Sequence, residues 1–439
     1  MSNFILMTQH EFIHFARSPF KTVSLILFIG AALYGMQNGY ILFSKHNAEI
    51  ATIESKNEET VQEVRDWLDA GITGPEGRPW IDVSKPFWAI WYTPTYAYKK
   101  PSPLMPFTIG QSEQYGYYKR VTNWSTTFDS DLAEEIANPE RLALGTLDFS
   151  FIILYLLPVL MIVLLFNIGG LEKDLDFDRL IQVNNINRKN WLLARFAFYF
   201  LLLILVLLSI MLPYAAVTGA IHEALGSFLL LFLFITLYLL IWFGVFYIIN
   251  LYGKGSTFQA LKMITVWLLF CIIIPGSIHQ ITSLKYPVSY MTEYIDAQRD
   301  ETYKIWDLPT DSIRNRLMDL YPILTETQHG KDSIADKSII SNSSSGLVND
   351  LMKNTAFTIE NSNENKNQFI QRTYWINPVS YFQNVINRIA SNDYYSYQKF
   401  RNNIQSMIDK KVYTLLVECW EKEIVTKEKY LEYVAQLQQ

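Results

Sequence analysis

Five apolar runs dominate the sequence, and each is long enough to cross a hydrocarbon layer of about 30 Å, which takes roughly 18 or more helical residues. They cover about Thr22 to Phe43, Phe149 to Ile168, Trp191 to Leu212, Ser227 to Ile249 and Phe258 to Ile281. Lipid offers no water to backbone N–H and C=O groups, so such runs must be helical. The expected fold class is therefore an all-α polytopic membrane protein with five transmembrane helices. An interfacial helix precedes them, and a mainly helical extracytoplasmic domain is built from two segments. Pro158 predicts a kink in the second span. Arg195, one turn inside the third, is expected to reach toward the headgroups.

Lys and Arg in the short loops set the orientation. Lys173, Arg179, Arg188 and Lys189 lie between the second and third spans, Lys254 and Lys262 between the fourth and fifth, and none between Pro213 and Gly226. Residues 1–21 and the loop 169–190 are thereby cytoplasmic. The division is 1–21, a first span at 22–43, an outer segment at 44–148, four spans within 149–281, and a second outer segment at 282–439 that carries the carboxy terminus outside. The expected location is the bacterial cytoplasmic (inner) membrane, with lipid as surroundings.

A formal charge of −5 argues against a nucleic-acid partner. Cys271 and Cys419 are too differently placed for a disulfide framework. In the first outer segment, Ile50, Ile53, Val61, Val64 and Leu68 predict a helix over 46–70 that stops near Gly71, followed by a Pro- and aromatic-rich stretch of turns. In the second, the Ser/Asn/Lys/Asp-rich stretch Glu326 to Gln368 predicts a mobile loop. Phe400, Ile404, Ile408, Leu415 and Cys419 mark a long helix capped near Asn392 or Asp393, and Thr426 caps a last helix to Leu437.

Three constellations hint at chemistry. His10, Glu11 and His14 spell H-E-x-x-H, the spacing of a zinc protease, yet no third ligand follows before the first span. On a helical wheel they form a polar face with Arg17, opposite Phe4, Ile5, Phe12 and Phe15, which predicts an interfacial helix with that face toward the cytoplasm. Gly253 to Thr257 resembles a phosphate loop but has Ile248 where the motif needs glycine. No nucleotide site, cofactor or metal is expected on this chain. The loop 169–190 is charged enough for a cytoplasmic helix that docks on a soluble partner through Glu172, Lys173, Asp174, Asp176, Asp178 and Arg179.

On these residues the chain resembles a permease subunit of the ATP-binding-cassette (ABC) type 2 exporter class, in the branch with large extracytoplasmic insertions. Glu11, Arg17 and Ser18 match its elbow helix. Glu172, Leu180, Ile181, Arg188 and Arg195 match its coupling loop and the opening of the third span. Asn138, Pro139, Gly145, Trp375, Asn377 and Pro378 agree in kind. The resemblance implies a cytoplasmic ABC ATPase subunit carrying ATP and Mg2+, a second permease, and alternating access. It places a translocation path along the second and fifth spans, with Tyr155, Pro158, Asn167, Trp267 and Pro275 as candidate residues. Asp176, Phe177, Asn185 and Asn187 depart from the class pattern, and no sixth apolar run follows, which favours a second permease of different sequence. The rival classes are a receptor or scaffold that uses the outer segments, and, more remotely, a membrane zinc protease.

Overall fold

The computed structural model describes residues 2–131, 147–175, 188–253, 255–286, 290–334, 336–421 and 423–438, and the chain is predominantly helical. A helix at Ser2–Ala16 (α1) precedes the bundle. Among the described residues, four helices are long and apolar enough to cross a membrane: Pro19–Ala70 (α2), Arg188–Val217, Leu225–Tyr252 and Ser256–Lys285. The apolar helix Phe149–Leu165 is shorter. With a short helix at Pro86–Tyr92 as α3, the Phe149–Leu165 helix is α4 and the last three membrane-length helices are α5, α6 and α7.

The first apolar run and the amphipathic stretch after it are one helix of 52 residues, about 78 Å long. The expected break near residue 44 is absent because positions 41–70 hold neither glycine nor proline. α2 ends where expected, at Gly71, whose φ of 67° is the left-handed cap conformation. Its polar half is pinned from the side. His46 stacks on Tyr117 at 3.5 Å between ring centroids, and Tyr118 donates to Glu49 at 3.2 Å.

α4 is the centre of the bundle, packed on α2, α6 and α7, with Ile152, Ile153, Leu154, Leu157 and Met161 wholly buried. Gly35 of α2 permits the approach: a Cβ there would sit 2.9 Å from the Asp148 carbonyl carbon. The irregularity expected at Pro158 is a π-helical turn over Ile152–Leu156, and α7 repeats it at Leu269–Ile273 ahead of Pro275. Pro158 brings no N–H to the Leu154 carbonyl one turn back. The Tyr238 hydroxyl of α6 donates there instead, at 2.6 Å, and the Trp267 indole of α7 donates to the adjacent Tyr155 carbonyl at 3.1 Å.

The polar half of α2, positions between 81 and 128, and helices of 290–438 other than Pro378–Ile389 form a second, separate core. The helices of 290–438 include Tyr290–Trp306 (α8), Ser345–Arg372 (α9), Pro378–Ile389 (α10), Tyr394–Trp420 (α11) and Lys427–Leu437 (α12). A two-stranded antiparallel sheet, Tyr96–Tyr98 (β1) with Tyr118–Arg120 (β2), sets Tyr96 opposite Arg120. α11 buries Phe400, Ile404, Ile408, Leu415 and Cys419, the face that the sequence pattern predicts. Asp393 and Thr426 cap α11 and α12 through their side chains. Glu326 to Gln368 is not a loop. Helices Lys337–Ser343 and α9 fill most of it, because Val348, Met352, Ile359 and Asn363 keep a buried helical lane that a Ser/Asn-rich composition hides.

α10, part of the second outer segment in the division read from the sequence, packs on the apolar bundle. Asn377 caps it at 3.2 Å from the Ser380 N–H, and Val379, Phe382 and Ile386 are buried against the bundle. Phe382 meets Tyr238 at 5.1 Å and Phe234 at 6.3 Å between ring centroids. Immediately before α10, Trp375 is 84% exposed.

Candidate functional site

At the bundle end far from the polar domain, α1 lies against α5 and places Glu11 in the interior, 3% exposed. Arg195 Nε is 2.5 Å from Glu11 Oε2, and the Tyr199 hydroxyl donates to Glu11 Oε1 at 2.8 Å. Arg195 also donates to the Ile168 carbonyl at 2.9 Å, while Lys21 donates to the Leu164 carbonyl at 2.8 Å and to the Tyr199 hydroxyl at 2.9 Å. Two cations thus sit on carbonyls at and just past the end of α4, the negative end of its dipole, and the Glu11 carboxylate pairs with one of them.

This corrects two expectations. Glu11 does not face water with His10, His14 and Arg17, which are exposed; it faces α5. Arg195 does not reach for headgroups but stays with Glu11 inside the protein, its guanidinium 4.8 Å from the Trp191 ring centroid. A helical wheel separates polar from apolar positions, and it is blind to a buried arginine waiting on the next helix. The glutamate of the H-E-x-x-H spacing is committed to Arg195 and Tyr199, and no group of three metal-ligating side chains occurs among the described residues.

The start of the 169–190 loop is locked to the turn between α6 and α7. Asn250 accepts from the Gly169 N–H at 3.1 Å. Lys173 donates to the Gly253 carbonyl at the end of α6, and Asp174 accepts from the Ser256 N–H at 3.1 Å, and from its hydroxyl, at the start of α7. Adjacent residues of opposite charge therefore cap the carbonyl end of one helix and the amide end of the next. The Ser256 hydroxyl, and then its N–H, hold the Asp174 carboxyl below its ordinary pKa. Gly170 is required at this junction, since a Cβ would come within 2.5 Å of the Ser256 backbone.

Lys173 is half-buried and Asp174 exposed, and both are hydrogen-bonded to the turn between α6 and α7. The Glu172 backbone belongs to the turn Leu171–Asp174, and Arg188 opens α5. Asp176, Asp178 and Arg179, with Leu180, Ile181, Asn185 and Asn187, lie outside the described residues, as do Asn138, Pro139 and Gly145.

Four of the five path candidates come together in mid-bundle. Trp267 bonds the Tyr155 carbonyl, Pro158 and Pro275 follow the two π-turns, and the Tyr155 hydroxyl reaches Gln383 of α10 at 3.4 Å. Asn167 stands apart, at the α1 end. The sequence reading missed Lys21, Tyr199, Asn250, Ser256 and Tyr238. Each is a polar group in or beside an apolar run, and the need of such a group for a partner is the signal that could have found it.

The sequence matches no protein-family model, no curated protein and no solved structure.

Proposed function

We propose that this chain is the permease subunit of an ABC-type transporter, an exporter, driven by ATP hydrolysis on a separate ATPase subunit. In this reading α2, α4, α5, α6 and α7 are its five spans, α1 and the loop 176–187 are cytoplasmic, and the polar domain lies outside the inner membrane. The observation that carries the proposal is the double cap made by Lys173 and Asp174. A push on the loop that follows them is passed at once to the end of α6 and the start of α7, while Arg195 and Lys21 tie the same region to α1 and α4. Midway along these helices, α10 packs beside two π-turns, where helices already interrupted can change register at low cost. Nucleotide-driven movement at the loop would thereby loosen or tighten the seal around Tyr155 and Phe382.

A second permease is supported by α7, of whose most apolar stretch 17% is buried within the chain. Its open face carries Lys262, Thr265, Ser277, His279 and Gln280, polar groups that favour a protein neighbour over lipid.

The test separates docking from transmission. Glu172→Lys with Asp178→Lys should reduce co-purification of the ATPase, because like charges then meet at the interface. Asp174→Asn should keep the ATPase bound and lose permease-stimulated hydrolysis. If both variants retain full binding and full stimulation, the proposal fails. The receptor reading is favoured by one feature, a cavity of about 540 Å³ beside α2 lined by Glu54, Glu58, Arg65, Tyr96 and Tyr98. Purification from native membranes without any ATPase would favour it.

A further inference from the structure

The Pro- and aromatic-rich stretch after Gly71 supplies one wall of the cavity of about 540 Å³ beside the polar half of α2, through Pro94, Tyr96 and Tyr98. A second wall is a stripe of α2, where Glu54, Glu58, Gln62 and Arg65 recur at the spacing that keeps side chains on one helical face. The volume falls within the range of about 300–1,000 Å³ of small-molecule sites. Its lining selects against charge. Glu54 is paired with Lys100 at 3.5 Å, and Glu58 shares its stripe with Arg65, so the two acids are set against two bases. An organic cation would meet Arg65 and a phosphate would meet Glu58, so neither is favoured.

Hydrogen-bonding capacity is left over instead. Arg65 spends one terminal nitrogen on Gln62 at 3.1 Å, and the other makes no hydrogen bond among the described residues. The Glu58 carboxylate and the Tyr96 hydroxyl make none among them either. Beside these groups stands an aromatic plate. Tyr96 and Tyr98 share one face of β1, with the buried Ala97 on the other, and their rings lie 5.9 Å apart at 9° to each other. The Tyr98 hydroxyl accepts from Asn57 at 2.9 Å, which pins the pair to α2.

We infer that this cavity binds a short saccharide of pyranose rings with equatorial hydroxyls. Such a ring is neutral, turns axial C–H bonds toward both faces and sets its hydroxyls around the rim. A ring face rests on the tyrosine pair, while rim hydroxyls donate to Glu58 and accept from Arg65. The inference needs only the polar domain and its half of α2, so it stands or falls apart from the transport reading.

Saturation-transfer NMR of the full chain in nanodiscs, free of sugar-headed detergent, tests it with cellobiose and N,N′-diacetylchitobiose as probes. At least one probe should be saturated, most strongly at its axial C–H protons. Tyr96→Ala should weaken its binding about fivefold, the worth of an aromatic contact. Arg65→Met should weaken it about tenfold, the worth of a hydrogen bond from a charged group. Should either variant not fold, Glu58→Ala, a change at an exposed position, should weaken it about fivefold. Neither spermidine nor inorganic phosphate should compete. Saturation of neither sugar, unchanged affinity in a folded variant, or displacement by spermidine or phosphate overturns the inference.

Discussion

The bundle and the polar domain each bury an arginine, and they neutralise it differently. Arg195 is held by one carboxylate and a helix-end carbonyl, with Lys21 and Tyr199 completing a chain that joins α1, α2, α4 and α5. Arg401, 2% exposed, lies between two carboxylates, Asp131 at 3.5 Å and Glu360, with the rings of Tyr115 and Phe128 at 5.1 and 5.5 Å. In the bundle the charge is spread over helix ends, so the network is a mechanical link between elements that could move together. In the domain two acids share one base. Burial pushes Asp131 up to about 6, against the opposing pull of Arg401 and the Gly116 N–H. The domain also buries Lys411 against the Thr93 carbonyl at 3.0 Å, with no ion pair to an acid among the described residues, and burial, helped by Arg120, lowers it to about 7. The link at the bundle end joins four helices; the domain core buries two groups, Asp131 and Lys411, whose pKa values burial displaces.

The largest effect expected is from breaking either arginine network on one side. Glu11→Ala strands Arg195 and Arg401→Met strands Asp131 and Glu360, each costing about 3–5 kcal/mol in thermal unfolding of the detergent-solubilised protein. Replacing Glu11 and Arg195 together by Leu and Met should recover part of the loss, because no unpaired charge then remains. If the single and double changes melt alike, the pair is not the link described.

Of intermediate size are the neutral repairs of mid-bundle. Tyr238→Phe and Trp267→Phe each remove one donor from a buried carbonyl, Leu154 or Tyr155, and should destabilise by about 1–3 kcal/mol. Loss of the same size from Tyr214→Phe, whose hydroxyl bonds Gln37 at an exposed position, would remove the contrast between buried and open donors.

The pH dependence is the smallest effect when read per pH unit, and it belongs to the domain core. Between its unfolded value of 3.8 and about 6, Asp131 keeps a proton in the folded chain that the unfolded chain has released, so stability falls as pH rises through that window. Between about 7 and 10.5 Lys411 is neutral when folded and charged when unfolded, so stability rises with pH there. Each slope is on the order of 1 kcal/mol per pH unit. Asp131→Asn should flatten the acid slope and Lys411→Met the alkaline one in melting temperatures taken across pH.

Much of the framework is legible in the residues. The apolar runs, the caps at Asp393 and Thr426, the stop at Gly71 and the buried face of α11 all appear where pattern and capping chemistry put them. α9 was hidden because its buried lane is thin and set in Ser and Asn, and the join of the two halves of α2 was hidden because a change of polarity along a helix looks like a boundary. Of the candidate site, the sequence points to Glu11 and to the charged loop, but not to the contacts they make: Lys173 and Asp174 cap the end of α6 and the start of α7.

The sequence by itself determined that this is a helical membrane protein, since periodicity, length and capping act within a few residues of one another. Only the tertiary structure decided how its polar groups are satisfied. Glu11 meets Arg195 across 184 positions and Lys21 meets Tyr199 across 178, and α10 enters the bundle from a segment whose composition is that of a soluble domain. A buried charge must be paired, but the requirement does not name its partner; packing of the elements does.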